Sequence, residues 1–242
     1  MNYTKKYYYA FEDRYQRISS QGLEYWTVGL ISVADSIERL RRFITFYGLS
    51  PNNTKIIEFG CGEGHIAKYL IQQGYEYLGI DISPSAVTNA RNLLEKANLP
   101  GDFLQGDITG LNMLKGDCYN VAIDNFCLQM LVVDADRYCY LAEIKRILKN
   151  NGKIYFHEIC KKDIVIDRLD SFQDYTDLYM HDFGALRDFE VFHSNKKQVI
   201  QLPKLPERYR SNKEYKKELN NAGFIADEIQ EEENRCVIYA HK

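Results

Sequence analysis

The stretch Ile56-Ile57-Glu58-Phe59-Gly60-Cys61-Gly62-Glu63-Gly64-His65 decides the fold of this chain of 242 residues. The apolar run from Lys55 to Phe59 stops at a glycine, which is typical of a buried strand. Alternate glycines then open a helix predicted over Glu63–Gln73. Glycine lets a backbone lie close against a ligand, and the N-terminus of a helix offers free N–H groups to an anion. His65 stands where dinucleotide sites have their third glycine, so a dinucleotide oxidoreductase is disfavoured.

A second signal lies in Gly79-Ile80-Asp81-Ile82-Ser83. Asp81 follows a strand predicted over Tyr75–Ile80 and stands 21 residues after Gly60, an interval that one βαβ unit sets. A carboxylate at this place can accept both hydroxyls of a ribose. The alternative is that Asp81 only caps the next helix, but Ser83 is better placed for that role.

Further polar residues follow the next two predicted strands. In Gln105-Gly106-Asp107-Ile108, the carboxylate can accept the amino group of adenine while the isoleucine packs on the ring; the alternative is an ordinary turn aspartate. The strand Tyr119–Ile123 leads into Asp124-Asn125-Phe126. Because ligands of open α/β sheets bind at the carboxyl ends of strands, we expect Asp124 or Asn125 to face the crevice.

The rest of the chain is organised around this alternating core as one domain, 1–242. Strands alternating with helices over 55–157 predict a mostly parallel sheet with helices on both faces. Residues 1–50 are predicted to form a helical cap, and 160–210 an aromatic insert without clear periodicity that acts as a substrate lid. Residues 211–242 are predicted to close the fold with a helix, begun by the capping box Ser211-x-x-Glu214, and an antiparallel hairpin.

Together these motifs over residues 55–157 resemble the class I S-adenosylmethionine-dependent methyltransferases. The resemblance implies a Rossmann-like, seven-stranded sheet and S-adenosyl-L-methionine as cofactor, with S-adenosyl-L-homocysteine as product. It implies three groups of cofactor-binding residues: Glu58, Gly60, Cys61, Gly62, Gly64 and His65 at the methionine end; Asp81 and Ile82 at the ribose, with Asp107 and Ile108 at the adenine; and Asp124, Asn125 and Phe126 beside the methionine tail and sulfonium.

Aromatic and basic side chains outside these motifs give weaker hypotheses. Tyr15 and Trp26 are predicted to lie near the cofactor, although most aromatic residues are simply core. If the acceptor needs a general base, His157, His181 and Asp124 are the candidates. A histidine is, however, more often a packing or surface residue.

Composition excludes several classes of function. A net charge of −3 gives no sign of a surface for nucleic-acid phosphates, and six cysteines without a C-x-x-C pair predict reduced thiols and no zinc or other metal site. Without a secretory signal or apolar span, we expect a cytoplasmic protein with no membrane partner.

The predicted reaction is methylation of an N or O atom of a small-molecule acceptor. The alternatives are a peptide or RNA methyltransferase, supported by basic residues in 196–217, and a catalytically silent cofactor-binding protein; a homodimer stays open.

Overall fold

The computed structural model describes residues 6–23, 30–161, 168–193, 196–232 and 234–242. Its strands are β1 (Lys55–Phe59), β2 (Glu76–Asp81), β3 (Asp102–Gln105), β4 (Tyr119–Asn125), β5 (Leu148–Ile159), β6 (Leu186–His193), β7 (Lys196–Pro203), β8 (Ile225–Glu232) and β9 (Arg235–His241). Seven of them form one sheet in the order β3-β2-β1-β4-β5-β9-β8. In that sheet β9 is antiparallel to both of its neighbours, β5 and β8, and all other neighbouring strands are parallel. The predicted mostly parallel sheet with a C-terminal hairpin is therefore confirmed.

Helices cover the sheet and connect its strands. They are α1 (Phe11–Ser20), α2 (Leu30–Phe46), α3 (His65–Gln72), α4 (Pro84–Lys96), α5 (Asp134–Ile147), α6 (Phe172–Tyr179) and α7 (Asn212–Asn221), with 3₁₀ turns at Tyr7–Ala10, Pro51–Asn53 and Leu128–Met130. Ser83 caps α4 by accepting the N–H of Ala86 at 3.0 Å. The capping box of Ser211 and Glu214 begins α7. Both helix starts lie where the sequence predicts them.

The register of the central strands brings the functional edge together. Phe59 of β1 lies beside Ile80 of β2 and Asp124 of β4, and Asn125 lies beside His157 of β5. Because these strands are parallel, their carboxyl ends meet at one edge. The chain connections diverge between β1 and β4, which is where open α/β sheets bind ligands.

Both faces of the sheet are buried. Neighbouring residues of a strand point to opposite faces, so Ile57 and Phe156 join one core cluster while Ile56 and Tyr155 join the other. Burial on both sides explains why the strands read as continuous apolar runs rather than as alternating patterns.

The insert is more regular than its sequence pattern indicates. Ser171 and Asp174 form a capping box that starts α6, and β6 and β7 pair along their whole length as a separate antiparallel hairpin. Ile200 and Leu202 of this hairpin are buried against Ile18 of α1. The expectation of an irregular insert is therefore wrong, because contacts with the N-terminal cap stabilise a hairpin with little sequence periodicity.

No helix within the described ranges is both long and apolar enough to cross a bilayer.

Candidate functional site

A cavity of about 970 Å³ opens at the carboxyl edge of β1, β2 and β4. The loops after these strands form one end, the insert forms the other, and α1 lies over both. Of the predicted cofactor residues, those that line it are Tyr15, Glu58, Gly60, Cys61, Gly62, His65, Asp81, Ile82, Asp107, Ile108, Asn125 and Phe126. Sequence-distant positions thus meet at one site.

The glycine turn after β1 is held where side chains do not fit. Gly60, Gly62 and Gly64 have φ angles of +67°, +53° and +81°, in the left-handed region that favours glycine. A Cβ on Gly60 would lie 2.7 Å from the Sγ of Cys127, and one on Gly64 would lie 2.9 Å from the Cβ of Ala90. The turn is therefore pressed against its neighbours, and its backbone forms the cavity wall at the start of α3.

Asp81 ties this turn to the next helix. Its carboxylate accepts the N–H of Gly62 at 2.9 Å through one oxygen and the N–H of Ser83 at 2.9 Å through the other. Burial raises the pKa of Asp81 to about 6. Since Ser83 itself is the helix cap, Asp81 is left as a buried carboxylate on the cavity wall with further acceptor capacity.

Asp107 lies under the N-terminal segment. It accepts the hydroxyl of Tyr8 at 2.9 Å, the N–H of Thr109 at 2.9 Å and the ammonium of Lys6 at 3.2 Å. Burial raises the pKa of Asp107, but the hydrogen bonds from these three residues outweigh it and leave the pKa below its ordinary value. Sequence reasoning missed Lys6 and Tyr8, because only the fold brings them to this carboxylate.

Helix α1 forms a roof over the same end of the cavity. Glu12 fastens α1 to the start of α4, where it accepts the N–H of Ser85 at 3.1 Å and its hydroxyl at 2.6 Å. Tyr15 lies over the glycine turn, with its hydroxyl 3.0 Å from the place of a Cβ on Gly62. The prediction for Trp26 concerns a residue outside the described ranges.

Glu58 lies deeper, beneath the glycine turn. It is buried and accepts the hydroxyl of Tyr77. Burial raises the pKa of Glu58 to about 8.

The carboxylate of Asp124 points away from the cavity. It is fully buried and accepts the N–H of Cys127 and the hydroxyl of Tyr140, each at 2.8 Å. Glu158 lies next to it and shares the N–H of Leu128, at 3.0 Å. Burial raises the pKa values of both acids. Asp124 therefore holds the loop after β4, and the geometry gives no support to a direct role in catalysis or cofactor binding.

Asn125 and Phe126 line the cavity instead. Phe126 has a φ angle of +65°, a conformation that is rare and strained for a bulky residue. Its N–H is fixed by the carbonyl of His157 at 2.8 Å. The loop thus presents a strained aromatic residue at the middle of the cavity.

The structure does not bring the two candidate histidine bases to the cavity wall. His157 is fully buried beside β4, with its Nδ1 2.9 Å from the Oδ1 of Asn125. Burial, with the nearby Arg39 and Arg235, lowers its pKa to about 3. His181 is exposed in the turn after α6. An acceptor base at either position has no geometric support, and His157 positions Asn125.

The other end of the cavity is formed by α1 and the predicted lid insert, and sequence reasoning missed Arg14, Glu207 and Tyr209 there. The Arg14 guanidinium lies 4.7 Å from the centre of the Phe189 ring, and Tyr175, Glu207 and Tyr209 complete this wall. No motif marks these positions, because they come from α1, α6, β6 and the segment after β7. Within the described ranges, His, Cys, Asp and Glu side chains form no cluster suited to a metal ion.

The sheet order and the glycine turn with its acidic partners are those of the class I methyltransferase fold. The chain belongs to this family: a family model described as a methyltransferase domain matches residues 50–223. Among curated relatives, an S-adenosyl-L-methionine-dependent Diels-Alderase of Talaromyces variabilis is 30% identical over 165 residues. That match covers 64% of this chain and 56% of the relative, so the chain spans little more than half of that enzyme's length.

Two solved structures share the fold over nearly the whole chain. An S-adenosylmethionine-dependent methyltransferase from Clostridium acetobutylicum has a TM-score of 0.64 at 12% identity, covering 97% of this chain and 98% of that chain. The second is the 1,6-didemethyltoxoflavin-N1-methyltransferase of Burkholderia thailandensis, solved with 1,6-didemethyltoxoflavin and S-adenosylhomocysteine bound. It has a TM-score of 0.62 at 17% identity, and the match covers 99% of this chain and 91% of that chain. At these identities the likeness concerns the fold alone.

Proposed function

We propose that this protein transfers a methyl group from S-adenosylmethionine to an N or O atom of a small-molecule acceptor. The observation that carries the proposal is the single cavity that joins the glycine turn to the aromatic insert. Its volume of about 970 Å³ lies at the upper end of the range for small-molecule sites, roughly 300–1,000 Å³. It therefore offers room for a cofactor and an acceptor side by side.

The residues on the cofactor end suit S-adenosylmethionine. The glycine turn and the first N–H groups of α3 would bind the methionine carboxylate, Asp81 the ribose hydroxyls, and Asp107 the adenine amino group. When bound, the cofactor supplies a methyl group on a leaving group that needs no further activation. The protein's part is then to align the acceptor and exclude water.

Enclosure of the acceptor end favours a small, partly aromatic acceptor. Tyr175, Tyr179 and Phe189 face the cavity there, under a roof that the hairpin and α1 build together. The basic residues that favoured an RNA or peptide acceptor are partly used in the fold. Arg208 is fully buried, and Arg210 lies 3.4 Å from Asp134.

The test is transfer of a labelled methyl group from S-adenosylmethionine into an extract separated into small-molecule and macromolecular fractions. We expect label in one or a few small molecules, with one S-adenosylhomocysteine formed per methyl group transferred. Labelling confined to protein or RNA would overturn the acceptor class.

A second candidate is a reaction that needs the bound cofactor without consuming it. It is favoured by the similarity to a fungal enzyme named an S-adenosyl-L-methionine-dependent Diels-Alderase, and by two candidate base histidines that lie off the cavity wall. The same assay separates the two functions, because conversion of a small molecule without release of S-adenosylhomocysteine would replace methyl transfer.

A further inference from the structure

The segment 205–209, after β7, has side chains that alternate between the cavity and the core. Leu205, Glu207 and Tyr209 line the cavity, whereas the intervening Arg208 is fully buried behind it. This is the period of an extended strand. The alternation presents one carboxylate and one phenol at the acceptor end.

Hydrogen bonds to the core hold this segment in place. The guanidinium of Arg208 donates to the carbonyl of Val132 at 2.6 Å and to Asp134 at 3.0 Å. The backbone N–H of Arg208 donates to the carbonyl of Gln129 at 2.7 Å. Ligand-contacting groups bind best when their supporting residues fix them beforehand. The anchoring of Arg208 therefore fixes the backbone that carries Glu207 and Tyr209.

Glu207 is oriented within the cavity by two tyrosines. The hydroxyl of Tyr175 donates to the Glu207 carbonyl at 2.8 Å and accepts its N–H at 3.1 Å. The hydroxyl of Tyr209 donates to the Oε2 of Glu207. In the described part of the chain no donor binds Oε1, so one carboxylate oxygen is left to the cavity. Burial raises the pKa of this carboxyl, and the nearby cations Arg14 and Lys161 offset part of the rise.

We propose that Glu207, oriented by Tyr209, recognises the acceptor by accepting a hydrogen bond from an N–H or O–H group on an aromatic ring. This inference rests on the proposed function and names the class of acceptor for that site. An ionised carboxylate only accepts hydrogen bonds, and its bonds to donors are stronger than neutral ones. The aromatic wall of Tyr175 and Phe189 suits a flat ring.

The test uses the full chain loaded with S-adenosylhomocysteine, so that no turnover occurs. Two probes share one ring system: naphthol has a donor and methoxynaphthalene lacks it. Ligand-observed NMR measures their dissociation constants. We expect the wild type to prefer naphthol to methoxynaphthalene by about tenfold, the size of one hydrogen bond to a charged group.

The variants isolate the carboxylate. Glu207→Gln should reduce the preference for naphthol to about twofold, since a neutral acceptor makes a weaker bond, and Tyr209→Phe should reduce it by a smaller factor. Asp188→Asn, which removes an exposed acid of the same insert, is the matched control and should keep the full preference. Unchanged affinity for S-adenosylhomocysteine in each variant, measured by calorimetry, confirms an intact fold and cofactor end.

An equal preference for naphthol in wild type and Glu207→Gln would overturn the proposal. So would a lack of binding of both probes to the wild type. The labelled-methyl assay keeps this failure apart from failure of methyl transfer itself. Labelling of small molecules by wild type and Glu207→Gln alike would leave the proposed function standing without Glu207.

Discussion

The two ends of the cavity are built in different ways. At the cofactor end, short loops after β1 and β2 fix each other through local contacts, such as that between Asp81 and the N–H of Gly62 at 2.9 Å. At the acceptor end, Arg14 of α1 meets Phe189 of the hairpin, and Arg208 holds the segment that carries Glu207. One end depends on backbone conformation and the other on long-range side-chain anchors, so substitutions should affect them separately.

The largest contrast is expected for the anchor of the acceptor end. Arg208→Ala removes the fully buried guanidinium that donates to the carbonyl of Val132 and to Asp134, and we expect it to lower the free energy of unfolding by about 3 kcal/mol. Arg187, whose side chain is 58% exposed, pairs with Asp182 on the surface; Arg187→Ala should cost about 0.5 kcal/mol or less. Urea unfolding measures both. Equal costs would show that Arg208 is no anchor.

Arg208→Ala also tests the independence of the two ends. We expect it to weaken naphthol binding while the affinity for S-adenosylhomocysteine stays within about twofold, because distant sites without shared partners behave additively. Calorimetry on the variant at a temperature where it is folded gives this result. A parallel loss of both ligands would mean that the two ends form one cooperative unit.

The second contrast compares two glycines with nearly the same φ angle. Gly60 and Gly22 have φ angles of +67° and +69°, so alanine at either costs about 1–2 kcal/mol of strain. Only at Gly60 would the new Cβ collide, with the Sγ of Cys127 at 2.7 Å, which adds about 1–3 kcal/mol of overpacking. We expect Gly60→Ala to destabilise more than Gly22→Ala in urea unfolding and to weaken cofactor binding. Equal effects would show that the turn has room to move.

The third contrast concerns acid stability. The pKa of His157 is about 3 in the folded protein and roughly 6.5 when unfolded. The unfolded chain therefore binds the proton first, and stability is lost as the pH falls from about 6.5 towards 3. For His157→Gln we expect this loss to be shallower than in wild type by up to about 1.4 kcal/mol per pH unit. The exposed His181→Gln should follow the wild type. Identical slopes for His157→Gln and wild type would contradict the burial of a neutral imidazole.

The glycine turn, Asp81 and Ser83 of the cofactor end could be predicted from sequence because their determinants are local, whereas the contacts of Lys6 and Tyr8 with Asp107 join distant parts of the chain. Glycines that need a left-handed backbone, an acid at the end of a strand and a serine cap are each specified within a few residues. The pleat of β4 is less easily read. From its place in the sequence, either Asp124 or Asn125 could face the crevice. In the structure Asn125 lines the cavity, while Asp124 accepts the hydroxyl of Tyr140.

The acceptor end could not be predicted for a physical reason. Ile200 and Leu202 are apolar because they meet Ile18 of α1, and nothing in the insert alone reveals that partner. Glu207 could not be predicted for the same reason, since its surroundings come from α6 and the segment around it. A capping box is a local signal, so the one formed by Ser171 and Asp174 can be predicted from sequence. The β6–β7 hairpin cannot, because it depends on its contacts with α1.

Calorimetric titration of S-adenosylmethionine into wild type and Asp81→Ala, with NADH as a control ligand, tests the central claim most directly. We expect wild type to bind S-adenosylmethionine and not NADH. Asp81→Ala should lose about 1.5–3 kcal/mol of binding free energy, the value of hydrogen bonds to a charged group. Equal affinity in wild type and Asp81→Ala, or preference for NADH, would contradict the assignment of this edge of the sheet as the S-adenosylmethionine site.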